Sequence, residues 1–233
     1  MTLFALLHGG LHRGSSWDLV ASKLMADGHD VVAPDLPVDD DSAGAMEWAR
    51  VAIDAIDRVT GPSDSDDVVV VGHSISGLCV PVVASLRPVR RMVFVAGLIP
   101  VPGTAFAAEF AANPGAVSFP APQAAGDGPF GLTWESVRDG FYHDCPEALA
   151  RRAFRELRGQ SFTVFTEPCP IQQWPDVPST YILMTDDRAI DVGWVRRSAV
   201  ARGAHVVELE GGHSPFFARP TELTDLLRGT LKL

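Results

Sequence analysis

The sequence predicts an α/β protein: a mostly parallel sheet of six strands flanked by helices, with one insertion. Three observations lead there. Apolar runs of strand length alternate with helix-period stretches over both ends of the chain. Between about Gly97 and Pro170 the alternation stops and prolines accumulate, which reads as an inserted unit rather than a linker. The candidate reactive residues stand just after strands, where open α/β sheets place their sites. A chain of 233 residues, 46% hydrophobic and 21% charged, suits one such domain with a full core.

The elements follow in order. Leu3–Leu7 is an unbroken apolar run and reads as the first strand, and Trp17–Ala26 as the first helix. His29–Ala33 makes the second strand, stopped by Pro34-Asp35-Leu36-Pro37. Over Ala43–Val59, apolar residues at Ala45, Met46, Ala49, Ile53 and Ile56 keep a helical period. Asp67–Val71 is the third strand, Ser76–Leu86 a helix, and Arg91–Val95 the fourth strand. The insertion holds one clear helix, Pro146–Arg158, and the loose run Pro120–Gly131. Alternation resumes with a strand at Thr180–Met184, a helix around Gly193–Ala201, a strand at His205–Leu209 and a closing helix at Thr221–Leu227. The expected organisation is a core of residues 1–96 and 171–233, with a cap over 97–170.

Composition excludes several classes. A formal charge of −10 and a pI near 5.0 argue against a nucleic-acid partner, which would want a basic face. The acidic clusters Asp39-Asp40-Asp41 and Asp64, Asp66, Asp67 fall in loops without a histidine at ligand spacing, so no metal is expected there. Cys79, Cys145 and Cys169 are scattered, with no CxxC pair, which fits a reducing compartment. The first apolar run reaches His8-Gly9-Gly10 at once and has no basic segment before it, unlike a signal peptide. No stretch approaches the roughly 18 apolar residues of a membrane span. The expectation is a cytoplasmic protein, monomer or homodimer.

The chemistry centres on residues 72–77, Gly-His-Ser-Ile-Ser-Gly, which follow the apolar run Val68–Val71. A buried strand running through G-x-S-x-G into a helix is the nucleophile elbow of the α/β-hydrolase fold. The turn is tight enough to need small residues at Gly72, Ser76 and Gly77. It presents Ser74 Oγ above the carboxyl edge of the sheet. A serine hydroxyl needs a base to take its proton and a carboxylate to orient that base. His213 suits the base, because Gly211 and Gly212 let the loop after the last strand turn back across the sheet. Thr185-Asp186-Asp187-Arg188, after the penultimate strand, supplies the carboxylate from Asp187 or its neighbour Asp186. Ser…Asp…His is the chain order of this fold. The oxyanion hole needs two N–H donors, expected from Ile75 and from Gly10 in the loop His8-Gly9-Gly10-Leu11-His12.

The other histidines read as structural. His8 and His73 flank glycines at strand ends, and His12 is assigned a structural role over substrate contact. His143 and His205 are placed in the cap and a strand without chemistry, and His29 in an exposed turn. Cap aromatics Phe106, Phe110, Phe119, Phe130, Trp134 and Phe141 are candidates for an acyl pocket.

His8-Gly9-Gly10-Leu11-His12-Arg13-Gly14-Ser15-Ser16-Trp17 resembles the H-G-x-x-H-G-x-W opening of the plant methylesterase and hydroxynitrile lyase family. The likeness runs on through Gly-His-Ser-Ile-Ser-Gly, Phe141-Tyr142-His143-Asp144, Thr185-Asp186-Asp187 and Gly211-Gly212-His213. Arg13-Gly14 departs from the family's simpler pair. The resemblance implies Ser74 as nucleophile and His213 as base. It implies Asp187 as the acid, since in the esterase members that carboxylate directly precedes a basic residue, as Asp187 precedes Arg188. The cyanohydrin-cleaving members carry threonine at the position of Gly10 and lysine after the base, where this chain has Ser214. The resemblance therefore implies a carboxylic-ester hydrolase on a small-molecule ester, needing no metal or organic cofactor. Dehalogenases and epoxide hydrolases of this fold use an aspartate nucleophile, and Ser74 speaks against both. A C–C hydrolase, lactonase or lyase reusing the triad, or a silent small-molecule-binding protein, are the alternatives.

Overall fold

Alternation along the two central strands divides the core in two. In β1 (Leu3–Leu7), Ala5 and Leu7 face one side of the sheet and Phe4 and Leu6 the other. In β3 (Val68–His73), Val68 and Val70 join the first set, Val69 and Val71 the second. The computed structural model describes residues 1–61, 67–119 and 132–233. Asp64, Asp66, the run Pro120–Gly131 and Phe130 lie outside the described residues.

The sheet has six strands in the order β2-β1-β3-β4-β5-β6, with β2 Asp30–Val32, β4 Arg91–Val95, β5 Ser179–Met184 and β6 His205–Leu209. Every pairing among the described strands is parallel, in line with the mostly parallel six-stranded sheet expected from the sequence. The chain moves outward from β1 to β2 and then crosses back past β1 to β3. Ligands of open α/β sheets bind at such a reversal, above the carboxyl ends of the strands. The loops after β1 and β3 meet there.

One face packs against α2 (Ala45–Thr60), α3 (Val80–Leu86) and α8 (Val192–Ala201), through Trp48, Ala52, Ile56, Val83, Trp194 and Val195. The other is covered by α1 (Asp18–Ala26) and α10 (Pro220–Gly229), through Val20, Leu24, Leu223 and Leu227. Trp48, Ile56 and Leu24 are fully buried, and an aliphatic side chain so placed contributes roughly 1.5–3 kcal/mol. None of the described helices is long and apolar enough to cross a membrane.

Two sequence readings need correction. The helix expected over Ser76–Leu86 is split. A 3-10 turn spans Ser74–Leu78, and α3 begins at Val80 with Pro81 in its first turn, where a missing N–H costs no helical bond. Between β4 and β5 the described residues form four α-helices where one was expected: α4 (Phe106–Ala112), α5 (Trp134–Phe141), α6 (Glu147–Glu156) and α7 (Thr163–Thr166). Helix α4 starts at Ala105 without a side-chain cap, leaving little to read. Helix α5 had a readable signal, since Thr133 Oγ1 accepts the Ser136 N–H at 3.2 Å. A further short helix, α9 (Pro215–Ala218), precedes α10.

Candidate active site

Backbone geometry sets the position of Ser74. The chain leaves β3 through Ser74 at φ 53°, a left-handed conformation that costs an L-residue roughly 1–2 kcal/mol. The Ser74 carbonyl accepts the Leu98 N–H at 2.8 Å, and the Ser76 hydroxyl lies 2.9 Å from both the Leu7 and His73 carbonyls. A Cβ on Gly77 would stand 2.2 Å from the Leu98 carbonyl oxygen. One on Gly72 would stand 2.4 Å from Val80 Cγ2. The small residues that the motif demands therefore answer to specific neighbours.

Ser74 Oγ lies 3.0 Å from His213 Nε2. His213 Nδ1 lies 2.9 Å from Asp187 Oδ2 and 3.1 Å from Oδ1. A carboxylate only accepts, so Nδ1 carries the proton and Nε2 is left to accept from the serine. Asp187 Oδ1 also accepts the N–H groups of Ala189 (2.8 Å) and Ile190 (3.0 Å), which fixes the carboxylate before it meets the imidazole. Both side chains are buried, at 2% and 4% exposure. Asp186 is exposed and contributes backbone instead: its N–H donates to Gly211 O at 3.0 Å. Gly211 at φ 128° and the Gly212 N–H, donated to Asp144 Oδ2 at 2.8 Å, bend the last loop so that His213 faces Ser74.

Gly10 and Ile75 line the same cavity as Ser74 and His213. In the first loop, Leu11 stands at φ 65° and donates its N–H to Gln160 Oε1 at 3.2 Å. His8 Nδ1–H donates to Gly9 O and His8 Nε2 accepts from Leu36 N–H, each at 2.8 Å. His73 Nε2–H donates to His213 O at 2.8 Å. Burial lowers the His8 and His12 pKa values to about 4 and holds His73 well below its ordinary value. All three are neutral at pH 7. His29 departs from expectation: it is half-buried, edge-on to the Phe4 ring at 5.2 Å. His143 Nε2–H donates to the Asp186 carbonyl at 3.1 Å.

The cavity above Ser74 encloses about 580 Å³. Of the aromatics expected to line it, Phe119 and Phe141 do, and Phe141 stacks on the His213 ring at 5.4 Å between centroids. Phe106 and Trp134 are instead buried in the core, and Phe110 is exposed. Leu132, Gln160, Phe162 and Phe165 line it without having stood out in the sequence. The loop that carries Gln160 and Phe162 is brought over the site by long-range backbone bonds, Arg158 N–H to Leu11 O at 2.8 Å and Ser161 N–H to Val38 O at 2.6 Å. Asp39 and Asp41 sit at its edge, and its described lining holds no lysine or arginine. No group of three or more His, Cys, Asp or Glu among the described residues could hold a metal ion.

The chain belongs to the alpha/beta hydrolase family, whose model matches residues 4–226. A pyrethroid hydrolase from Sphingobium wenxiniae is 26% identical over 97% of this chain and 86% of its own length. Methylesterase 7 from Arabidopsis thaliana is 30% identical over 42% of this chain and 40% of its own. Among solved structures, the Arabidopsis methylesterase MES16 superposes with a TM-score of 0.78 at 20% identity, covering 100% of both chains. The resemblance to plant methylesterases and the expectation of an ester-cleaving hydrolase agree with these relatives.

Proposed function

We propose that this protein is a serine hydrolase of uncharged carboxylic esters with an apolar acyl group. One observation supports it above the others: the continuous line Ser74 Oγ–His213 Nε2, His213 Nδ1–Asp187, at 3.0 and 2.9 Å, opens on an apolar cavity. Relatives named for pyrethroid hydrolysis and for methyl esters are consistent with this reading. His213 Nε2 takes the Ser74 proton as Oγ attacks the ester carbonyl carbon. The N–H groups of Gly10 and Ile75 hold the oxygen that becomes negative, and Asp187 stabilises the imidazolium. His213 then protonates the departing alkoxide, leaving an acyl-serine. Water, deprotonated by His213, attacks that acyl group, and the released serine recovers its proton.

The test is turnover of p-nitrophenyl esters of graded acyl length, with Ser74→Ala as the blank. Turnover that vanishes in the variant is expected, with a hemiester of equal length, bearing a free carboxylate, cleaved poorly. No lysine or arginine among the described lining residues receives its carboxylate, and Asp41 adds negative charge at the rim, while Asp39 is already paired with Arg158. Equal turnover by Ser74→Ala would sink the mechanism. Turnover of a lactone or diketone but no simple ester would point to the triad reused for other bonds.

A further inference from the structure

His12 is buried above the reacting atoms yet has no part in the Ser74–His213–Asp187 relay. Its Nδ1 lies 2.6 Å from the Gly10 carbonyl oxygen, which can only accept, so Nδ1 carries the proton. Its Nε2 lies 2.7 Å from the hydroxyl of Tyr142, which therefore donates to it. Tyr142 is fully buried and comes from the cap, directly after α5. Burial keeps this phenol protonated, with its pKa well above the ordinary value, and keeps His12 neutral.

The loop that these groups hold has no slack. A trans peptide points its N–H opposite its carbonyl. With Gly9 O tied to His8 at 2.8 Å, the Gly10 N–H points away from that bond. With Gly10 O tied to His12, the Leu11 N–H points the other way, to Gln160. Leu11 meanwhile keeps a left-handed backbone that a leucine would leave if released. The Gly10 N–H belongs to the Gly9–Gly10 peptide, held by His8, and a turn of the adjoining Gly10–Leu11 peptide reaches it through the Gly10 Cα that the two peptides share. Without the Tyr142 hydroxyl, only the Gly10 carbonyl still favours the proton on Nδ1, and the Nε2 tautomer becomes easier to populate. A lone pair at Nδ1 would then face the lone pairs of Gly10 O, and the loop would have reason to turn.

We propose that Tyr142 and His12 form a positioning pair through which the cap sets the oxyanion loop. The inference rests on the esterase reading, because it assigns the Gly10 N–H to the oxyanion. The tyrosine hydroxyl locks one imidazole tautomer, and that tautomer holds the Gly10–Leu11 peptide in its strained position.

Tyr142→Phe tests this by removing one oxygen and keeping the ring. The expected result is a roughly tenfold lower kcat with KM changed less than about twofold. An apolar trifluoromethyl ketone supplies the second readout. Ser74 Oγ adds to its carbonyl carbon, the serine proton passes to His213, and the former carbonyl oxygen becomes the oxyanion. Its inhibition constant should rise by about the same tenfold factor as kcat falls. A lower thermal midpoint with kcat and ketone affinity unchanged would mean packing alone and overturn the inference. So would a change confined to KM. Should the variant not fold, 15N spectra of the wild-type histidines decide: Nδ1–H on His12 upholds the pair and Nε2–H overturns it. A wild type that binds the ketone but cleaves no ester sinks the esterase reading and leaves these comparisons intact; one that does neither sinks both.

Discussion

Asp186 and Asp187 are neighbours of identical chemistry, and only one reaches the histidine. The turn after β5 points Asp187 inward, where two backbone N–H groups and His213 share its oxygens, and leaves Asp186 in solvent. Spacing alone left both open, because either follows the strand closely enough; the likeness to methylesterases favoured Asp187 through Arg188. The structure brings Asp187 to the imidazole. Asp187→Asn should lower kcat by about 10³–10⁴-fold at neutral pH, because an amide can hold the wrong tautomer. Asp186→Asn should change it less than about twofold, since its contact to the base loop is made by backbone. Ester turnover with both thermal midpoints recorded checks the pair. Equal losses would mean that the acid was misassigned. Gln160 was not legible at this scale: nothing about a glutamine in a loop announces that its carbonyl oxygen caps Leu11.

The strand and tight turn around Ser74 were legible as an element because their constraint is local. Strand, serine and small residues are contiguous, and each small residue has a nearby reason. Gly77 has the firmest one, since the atom that a Cβ would strike belongs to backbone at Leu98. Gly77→Ala is expected to destabilise the fold by about 2–4 kcal/mol, read as a lower urea midpoint at unchanged slope. A loss below about 0.5 kcal/mol would show that the Leu98 loop yields easily. The segment between β4 and β5 was far less legible. Its helices are short, α4 is alanine-rich without a side-chain cap, and α7 is one turn long. Such segments are helical because they pack against each other, Phe106 on Phe165, and against the core at Trp194, not because of a strong pattern of their own.

At the scale of the whole molecule, burying neutral histidines ties the fold to pH. His8 and His12 have pKa values near 4 in the folded protein against about 6.5 for an exposed histidine, with desolvation the main cause. Between those values the unfolded chain binds more protons than the folded one, so acid favours unfolding. Stability should be full above about pH 6.5, fall by a few kcal/mol on the way to about pH 4, and draw nothing more from these two groups below that. Urea midpoints across that window measure it. A flat profile between about pH 6.5 and about pH 4.5 would mean that these histidines titrate normally.

The sequence by itself determined the alternating sheet, the elbow at Ser74 and the glycine loop of His213, because strand burial, tight turns and left-handed glycines are properties of a few adjacent residues. It also placed Gly10 and Ile75 beside that serine, each one step from a motif. Only the tertiary structure decided that all the described strands run parallel. It also brought Asp187 to His213, and Tyr142 to His12 across 130 positions of chain. Contacts of that separation depend on how the helices between β4 and β5 close over the sheet, and no local pattern encodes that distance.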